Sequence, residues 1–342
     1  MNGWPIWMGL WCFAACWQPL CTLRAALAAD DAALTGAVAA FEAALFARGT
    51  NWTDALLEAV LEDENLCLKV AAGQDAGPVL EKAMDDELDF LQALGRAPLD
   101  EVFPGAAAFL PRWQGTPDAD YHAAYAARRA AMGQKGYGMF ARHHVFALEE
   151  GRLVPVRYPD PQRLSELPGY EQEREKVIAN TRALLEGKPA NNVLLYGDRG
   201  TGKSSTIHAI LNAYKEQGLR MIEIPKSAVE ELSLIREYLA DSPMKFIIYI
   251  DDLSFDSQDN AFTELKAALE GGLSACQPNT LIYATSNRRH LIKENFSDRE
   301  DDVNKNDTRQ EQLSLSDRFG LTITFINPDK KDYLDIVEKI AA

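Results

Sequence analysis

Between about residues 20 and 135, apolar positions recur at three- and four-residue spacing. The stretches "LRAALAADDAALTGAVAAFEAALFARG" and "NWTDALLEAVLEDENLCLKVAAG" show this and predict successive alanine-rich helices. Gly49 and Gly73 near their ends, and Asp54 near a start, fit helix capping. The period then changes. "MFARHHVFALEEGRLVPVRYPDP" carries two β-rich runs about Glu150-Gly151, which predicts a hairpin, and Pro159 and Pro161 follow it as a linker. Further on, short apolar runs at Val193–Tyr196, Met221–Ile224, Phe246–Ile250, Thr280–Ala284 and Leu321–Ile326 alternate with helical stretches such as Lys203–Gln217, Ala228–Ala240 and Asn260–Leu269. Such alternation predicts an α/β fold, a five-stranded parallel sheet flanked by helices, with ligands beyond the carboxyl ends of the strands. The expected organisation is a mainly helical N-terminal domain over 1–135, a hairpin and linker over 136–158, and an α/β core over 159–342.

Composition narrows the class. At 342 residues the chain suits two domains, and 47% apolar with 25% charged residues is the make-up of a soluble globular protein. A formal charge of −16 argues against general binding to a nucleic-acid backbone, which needs an excess of lysine and arginine. It leaves room for a local basic contact, and Arg288, Arg289 and His290 form the compact basic cluster near the last strands. Five cysteines, an odd number, do not make a secreted disulfide framework, so a cytoplasmic location is expected. The apolar start, Trp4 to Leu20, is interrupted by Pro5, Gln18 and Pro19, and no basic residue precedes it as a signal peptide requires. A buried or partner-facing helix is expected there rather than an integral membrane segment.

Candidate chemistry begins at "NNVLLYGDRGTGKSST". Gly197, Asp198, Arg199, Gly200, Thr201, Gly202, Lys203 and Ser204 match G-x-x-x-x-G-K-[ST] without a mismatch, and Ser205 follows. Glycines let backbone N–H groups turn toward phosphate oxygens, and the following helix offers its positive end to an anion. Lys203 would reach the β- and γ-phosphates, and the Ser204 hydroxyl would ligate Mg²⁺. In "KFIIYIDDLSF" an apolar run leads to Asp251, placed to hold the metal through water, and Asp252, placed to polarise an attacking water. "NTLIYATSNRRHLI" runs through Thr285 and Ser286 to Asn287, an amide suited to orienting that water. In "SLSDRFGLTITF", Arg318 precedes the last strand; it either stabilises charge on a transferred phosphoryl group or pairs with Asp317.

In this order, the phosphate loop, "IIYIDD", Asn287 and Arg318 resemble the AAA+ ATPase superfamily over roughly 160–342, and among its members a bacterial branch of ATP-binding proteins. "LSELPGYEQEREKVIANTRALLEGKPANNVLLYG" resembles the helix and loop that enclose adenine in that superfamily, which puts Leu167, Gly169 and Tyr170 near the base. The resemblance implies ATP and Mg²⁺ as ligands and an ATPase coupled to remodelling or loading of a protein or nucleoprotein partner. It also implies that Arg318 acts in trans, so that catalysis needs a homo-oligomeric ring or filament. Two departures stand out. Asp252 occupies a position usually held by Glu, and the helical lid that carries a further arginine is expected to be absent after one helix beginning near Asp329. The alternative is a nucleotide-gated binding module that does not hydrolyse.

Other patterns carry less. "DVNKNDTRQEQL" has Asp307 where a calcium loop needs Gly and Leu313 where it needs Glu, so 295–314 reads as a polar insertion. His143 and His144 are adjacent in an expected strand, point to opposite faces and cannot share a metal from one side.

Overall fold

A computed structural model describes residues 31–63, 77–98, 114–254, 260–270, 278–287 and 318–341. The Trp- and Cys-bearing start, Gly73, the 288–290 basic cluster and the 295–314 segment lie outside the described residues. The chain divides into two compact units, Met1–Arg142 and His143–Ala342.

The first unit is helical, as its period implies, with helices at Asp31–Phe46, Trp52–Glu62, Gly77–Arg96 and Tyr121–Ala130. Asn51, rather than Asp54, caps the second: its side chain accepts from the Asp54 N–H. Asp120 likewise caps the fourth, accepting from the Ala123 N–H. Buried polar groups tie the helices together. The Trp52 indole donates to the Leu94 carbonyl at 3.1 Å, Thr53 to Gly95 at 2.7 Å, and the Tyr121 hydroxyl to Thr53 at 2.7 Å. Gly95 is needed for the last contact, because a Cβ there would lie 2.3 Å from the Tyr121 hydroxyl oxygen. No helix among the described residues is long and apolar enough to cross a membrane.

The second unit is built on one sheet. Its strands are β1 (Val145–Glu149), β2 (Arg152–Pro155), β3 (Val193–Gly197), β4 (Leu219–Glu223), β5 (Lys245–Ile250), β6 (Thr280–Ser286) and β7 (Leu321–Phe325), in the order β2-β1-β4-β5-β6-β3-β7. All five expected core strands form and pair in parallel. The hairpin also forms, but inside the sheet: β1 pairs in parallel with β4, Val145 opposite Met221, and makes seven strands where five were expected. The physical reason is the edge. Without β1, the main-chain groups of β4 and its apolar neighbours would face water; Val145 and Phe146 bury against them. The hairpin lies in the second compact unit, which begins at His143.

Helices Glu171–Leu185, Lys203–Tyr214, Leu232–Leu239, Asn260–Glu270 and Lys330–Ala341 accompany the strands. β3, β5 and β6 are apolar on both faces, and Val193, Leu195, Ile247, Tyr249 and Tyr283 enter one buried cluster with Ile207 and Ile210 of the helix after β3.

Candidate functional site

The order β5-β6-β3 brings three carboxyl ends side by side, and the polar residues cluster there. β3 ends at Gly197 with φ +141°, and a Cβ at that position would stand 1.9 Å from the Phe325 carbonyl oxygen. Only glycine lets β7 pass so close. Gly200 and Gly202 also have positive φ, +77° and +84°, but nothing lies within 4 Å of a Cβ built on either. Their requirement is conformational: both sit in the left-handed region that lets successive backbone N–H groups turn toward an anion. Thr201 closes the turn by donating to the Asp198 carbonyl at 2.8 Å, and Thr206 donates to Gly202 at 2.8 Å. Arg199 is exposed on the loop, and Ser205 lies half-buried on the first helical turn.

Lys203 opens the helix and is buried. Its ammonium donates to the Gly197 carbonyl at 3.0 Å, to Asp198 at 2.7 Å and to the Asn287 side-chain oxygen at 3.1 Å. Burial holds its pKa below the ordinary lysine value, against the pull of Asp198, Asp251 and Asp252. Asn287, beyond the end of β6, uses both ends of its amide: Oδ1 accepts from Lys203, and Nδ2 donates to Asp252 Oδ1 at 2.6 Å. One neutral side chain thus links the cation of the loop to the second carboxylate.

Asp251 faces the loop from the tip of β5. Its Oδ1 accepts from Ser204 Oγ at 2.9 Å, from the Tyr249 hydroxyl at 2.7 Å and from the Thr285 hydroxyl. Burial raises its pKa, but the hydrogen bonds from Thr285, Tyr249, Ser204 and the Asp252 N–H outweigh it and leave the carboxyl below its ordinary value. Asp252 takes a left-handed backbone, φ +46°, held by its N–H donating to Thr285 Oγ1 at 3.0 Å. The adjacent Leu253 N–H donates to the Thr285 carbonyl at 2.7 Å. Sequence reasoning placed Thr285 only as part of a strand and counted Tyr249 as apolar. Period two was the available signal, since it puts Tyr249 on the same face as Asp251.

No ion or nucleotide is part of the structure, yet the residues fit both. Ser204 and Asp251 present a hydroxyl and a carboxylate 2.9 Å apart, the oxygen donors magnesium takes, beside a loop whose carbonyls Lys203 holds.

The turn at 167–170 lies along the same edge. The Tyr170 hydroxyl donates to the Ile326 carbonyl at 2.6 Å, and its ring sits 5.1 Å from that of Phe325. Leu167 accepts from Arg174 at 2.6 Å, and Gly169, φ +75°, meets Ile336 of the last helix, 2.8 Å from where a Cβ would stand. Asp198 also reaches this side, accepting from the Asn327 N–H at 2.9 Å. Arg318 is the one that does not join. In the register Val193 opposite Leu321 and Gly197 opposite Phe325, it precedes the amino end of β7. Four strand steps at about 3.3 Å each put it more than ~13 Å below the loop of its own chain.

A family profile described as "Protein of unknown function (DUF815)" matches residues 140–342. Among curated proteins, the replication factor C large subunit of Thermofilum pendens is 32% identical over 80 residues, 23% of this chain and 19% of that protein. The one from Thermococcus kodakarensis is 35% identical over 81 residues, 23% of this chain and 16% of that protein. The chain thus spans under a fifth of the curated relatives it matches. Among solved structures, the Thermotoga maritima RuvB Holliday junction branch migration motor aligns at 21% identity and TM-score 0.35, covering 52% of each chain. The Aeropyrum pernix ORC1 protein in complex with DNA aligns at 18% identity and TM-score 0.36, covering 51% of this chain and 50% of that one. The fold assignment rests on this chain's own strand order, with the phosphate loop after the central strand β3, the carboxylates after β5 and the amide after β6. This arrangement is the one that the resemblance to the AAA+ superfamily implies, and the chain belongs to the family described as "Protein of unknown function (DUF815)".

Proposed function

We propose that this protein binds ATP with Mg²⁺ at Gly197–Ser205 and hydrolyses it, coupling turnover to the remodelling or loading of a protein or nucleoprotein partner. The observation that carries the reading is the 2.9 Å contact of Ser204 Oγ with Asp251, set inside a net that includes Lys203, Asn287 and Asp252. Ser204 and Asp251 would hold the metal, which would supply positive charge for the phosphates when bound. Lys203 leaves the loop carbonyls for the γ-phosphate. Asp252 Oδ2 accepts a hydrogen bond from the attacking water, and Asn287 holds that carboxylate in place. Water oxygen bonds to the γ-phosphorus as the bond to the β–γ bridging oxygen breaks, giving ADP, phosphate and a proton. Leu167, Gly169 and Tyr170 receive the base.

Arg318, distant from its own loop, completes the site of a neighbouring copy, so the active form is a ring or filament in the cytoplasm. A net charge of −16 favours a protein partner over nucleic acid. Solution mass with and without a slowly hydrolysed ATP analogue, together with phosphate release, tests the reading. ATP-driven assembly and an activity lost in Arg318→Ala support it; no assembly and nucleotide binding indifferent to Lys203→Ala sink it. One observation favours the second reading, a nucleotide-gated module without turnover. Asp252 is short, and its Oδ1 is already engaged by Asn287 at 2.6 Å. In that case Arg318→Ala leaves phosphate release unchanged at a background rate.

A further inference from the structure

Asp251 receives hydroxyl donors on one oxygen, and the one from Tyr249 belongs to no motif. Tyr249 and Asp251 are alternate residues leaving β5, so both side chains project from the same face. The phenol is buried, at 3% exposure, and its hydroxyl stands 2.7 Å from Asp251 Oδ1. The His208 ring meets its ring edge-on, centroids 5.5 Å apart, and His208 Nε2 in turn lies 3.4 Å from Glu223. A phenol facing a carboxylate oxygen can only donate to it, so the hydroxyl is the donor of this pair. Ser204, Tyr249 and Thr285 all converge on Oδ1. Three hydroxyls on one oxygen hold the carboxylate in one orientation.

We propose that Tyr249 is a positioning residue for the metal: its hydroxyl clamps Asp251 through Oδ1 and leaves Oδ2 to the magnesium or its water. This rests on the nucleotide reading above and deepens it. Thr285 shares the clamp but also fixes the Asp252 N–H at 3.0 Å, so changing it disturbs two groups together. Tyr249 separates them. Outer partners of a metal ligand fix its orientation, and their loss typically costs about 10–100-fold in metal affinity.

The test is Tyr249→Phe in the full chain, which keeps the ring against His208 and removes only the oxygen. Binding of a fluorescent ATP analogue is followed while Mg²⁺ is raised from a chelated start, and Mn²⁺ bound with the nucleotide is counted by electron paramagnetic resonance. The expected result is equal nucleotide affinity in chelator for both proteins, with the Mg²⁺ midpoint of the variant raised roughly 10-fold or more and Mn²⁺ affinity weakened to match. An unchanged midpoint in a variant that melts like wild type overturns the clamp and leaves the nucleotide site standing. Wild-type binding that ignores Mg²⁺ overturns both. If Tyr249→Phe fails to fold, 3-fluorotyrosine at 249 keeps ring and hydroxyl while changing donor strength. A shifted Mg²⁺ midpoint then supports the clamp, and an unmoved one overturns it.

Discussion

The two ends of the sheet use the same kinds of side chain in opposite ways. At the amino end, several polar groups bond to main chain. Asn279 donates to the Leu239 and Ser242 carbonyls at 2.7 and 2.9 Å, Asn180 exchanges bonds with the Asn191 backbone, and Arg220 donates to Lys215 and Leu219. At the carboxyl end a net of side chains bonds to one another, Ser204 to Asp251, Lys203 to Asn287 and Asn287 to Asp252, although Lys203 also holds two loop carbonyls. A side chain that satisfies a strand's carbonyl cannot leave without stranding a buried group. A side chain held by another can exchange that partner for a ligand. Polar groups at the amino end are therefore structural and those at the carboxyl end chemical, with Arg318 the proposed exception.

Lys203→Ala breaks the chemical end most severely. Removing a buried ammonium from a phosphate site is expected to weaken ATP binding by about 100-fold or more, measured by titration with a fluorescent analogue. The melting temperature should hardly move, since the lysine serves loop carbonyls that water can reach once the side chain is gone. Melting as low as an amino-end variant, with affinity intact, would reverse the assignment of the two ends.

Arg318→Ala tests the exception. Nucleotide affinity should persist while phosphate release falls by about 10³-fold, the scale of a transferred arginine. Mixing this variant with Lys203→Ala is expected to restore part of the activity, because one supplies an intact loop and the other an intact arginine. If the mixture stays dead while each variant still assembles, the arginine belongs to the structural end after all. Asn279→Ala then calibrates that end: two carbonyls lose their donor, so stability in urea should fall by about 1–3 kcal/mol with nucleotide affinity unchanged.

The chemical end was far more legible than the structural one, and the reason is locality. Gly197, Gly200 and Gly202 meet backbone demands inside one loop, so their spacing alone announces it. Asp251 and Asn287 stand out because an apolar strand stops at each. Tyr249 was hidden by its own chemistry, since a phenol inside an apolar run scores as packing while its hydroxyl serves the carboxylate. Asp198 was read only as a loop position, yet it binds the Asn327 N–H from across 129 residues. The β1–β4 pairing was out of reach for the same reason: local alternation predicts a hairpin but not the strand it will join. The place of Arg318 before the last strand of a parallel sheet already put it at the amino end, and the register of β7 on β3 agrees.

The smallest expected effect sharpens the structural end by pH. His144 precedes β1, and its carbonyl accepts from the Met221 N–H at 2.9 Å. Burial, then the charges of Arg220 and Lys215, bring its imidazole pKa down to about 4. An unfolded chain would take up that proton near the ordinary value of 6.5, so between about pH 6.5 and 4 the unfolded state binds more protons than the folded one. Stability is then complete above the unfolded value and is lost as pH falls through the window. Because the ring is only half-buried, solvent screening reduces the effect to on the order of 1 kcal/mol. His144→Gln cannot take up the proton, so urea denaturation at pH 7 and pH 5 should show a smaller loss in the variant than in wild type. Carboxylates titrating elsewhere contribute equally to both proteins and cancel in the difference. Identical losses would mean that the folded ring accepts its proton beside Arg220, and that this end of the sheet tolerates charge as readily as the end that carries the phosphate loop.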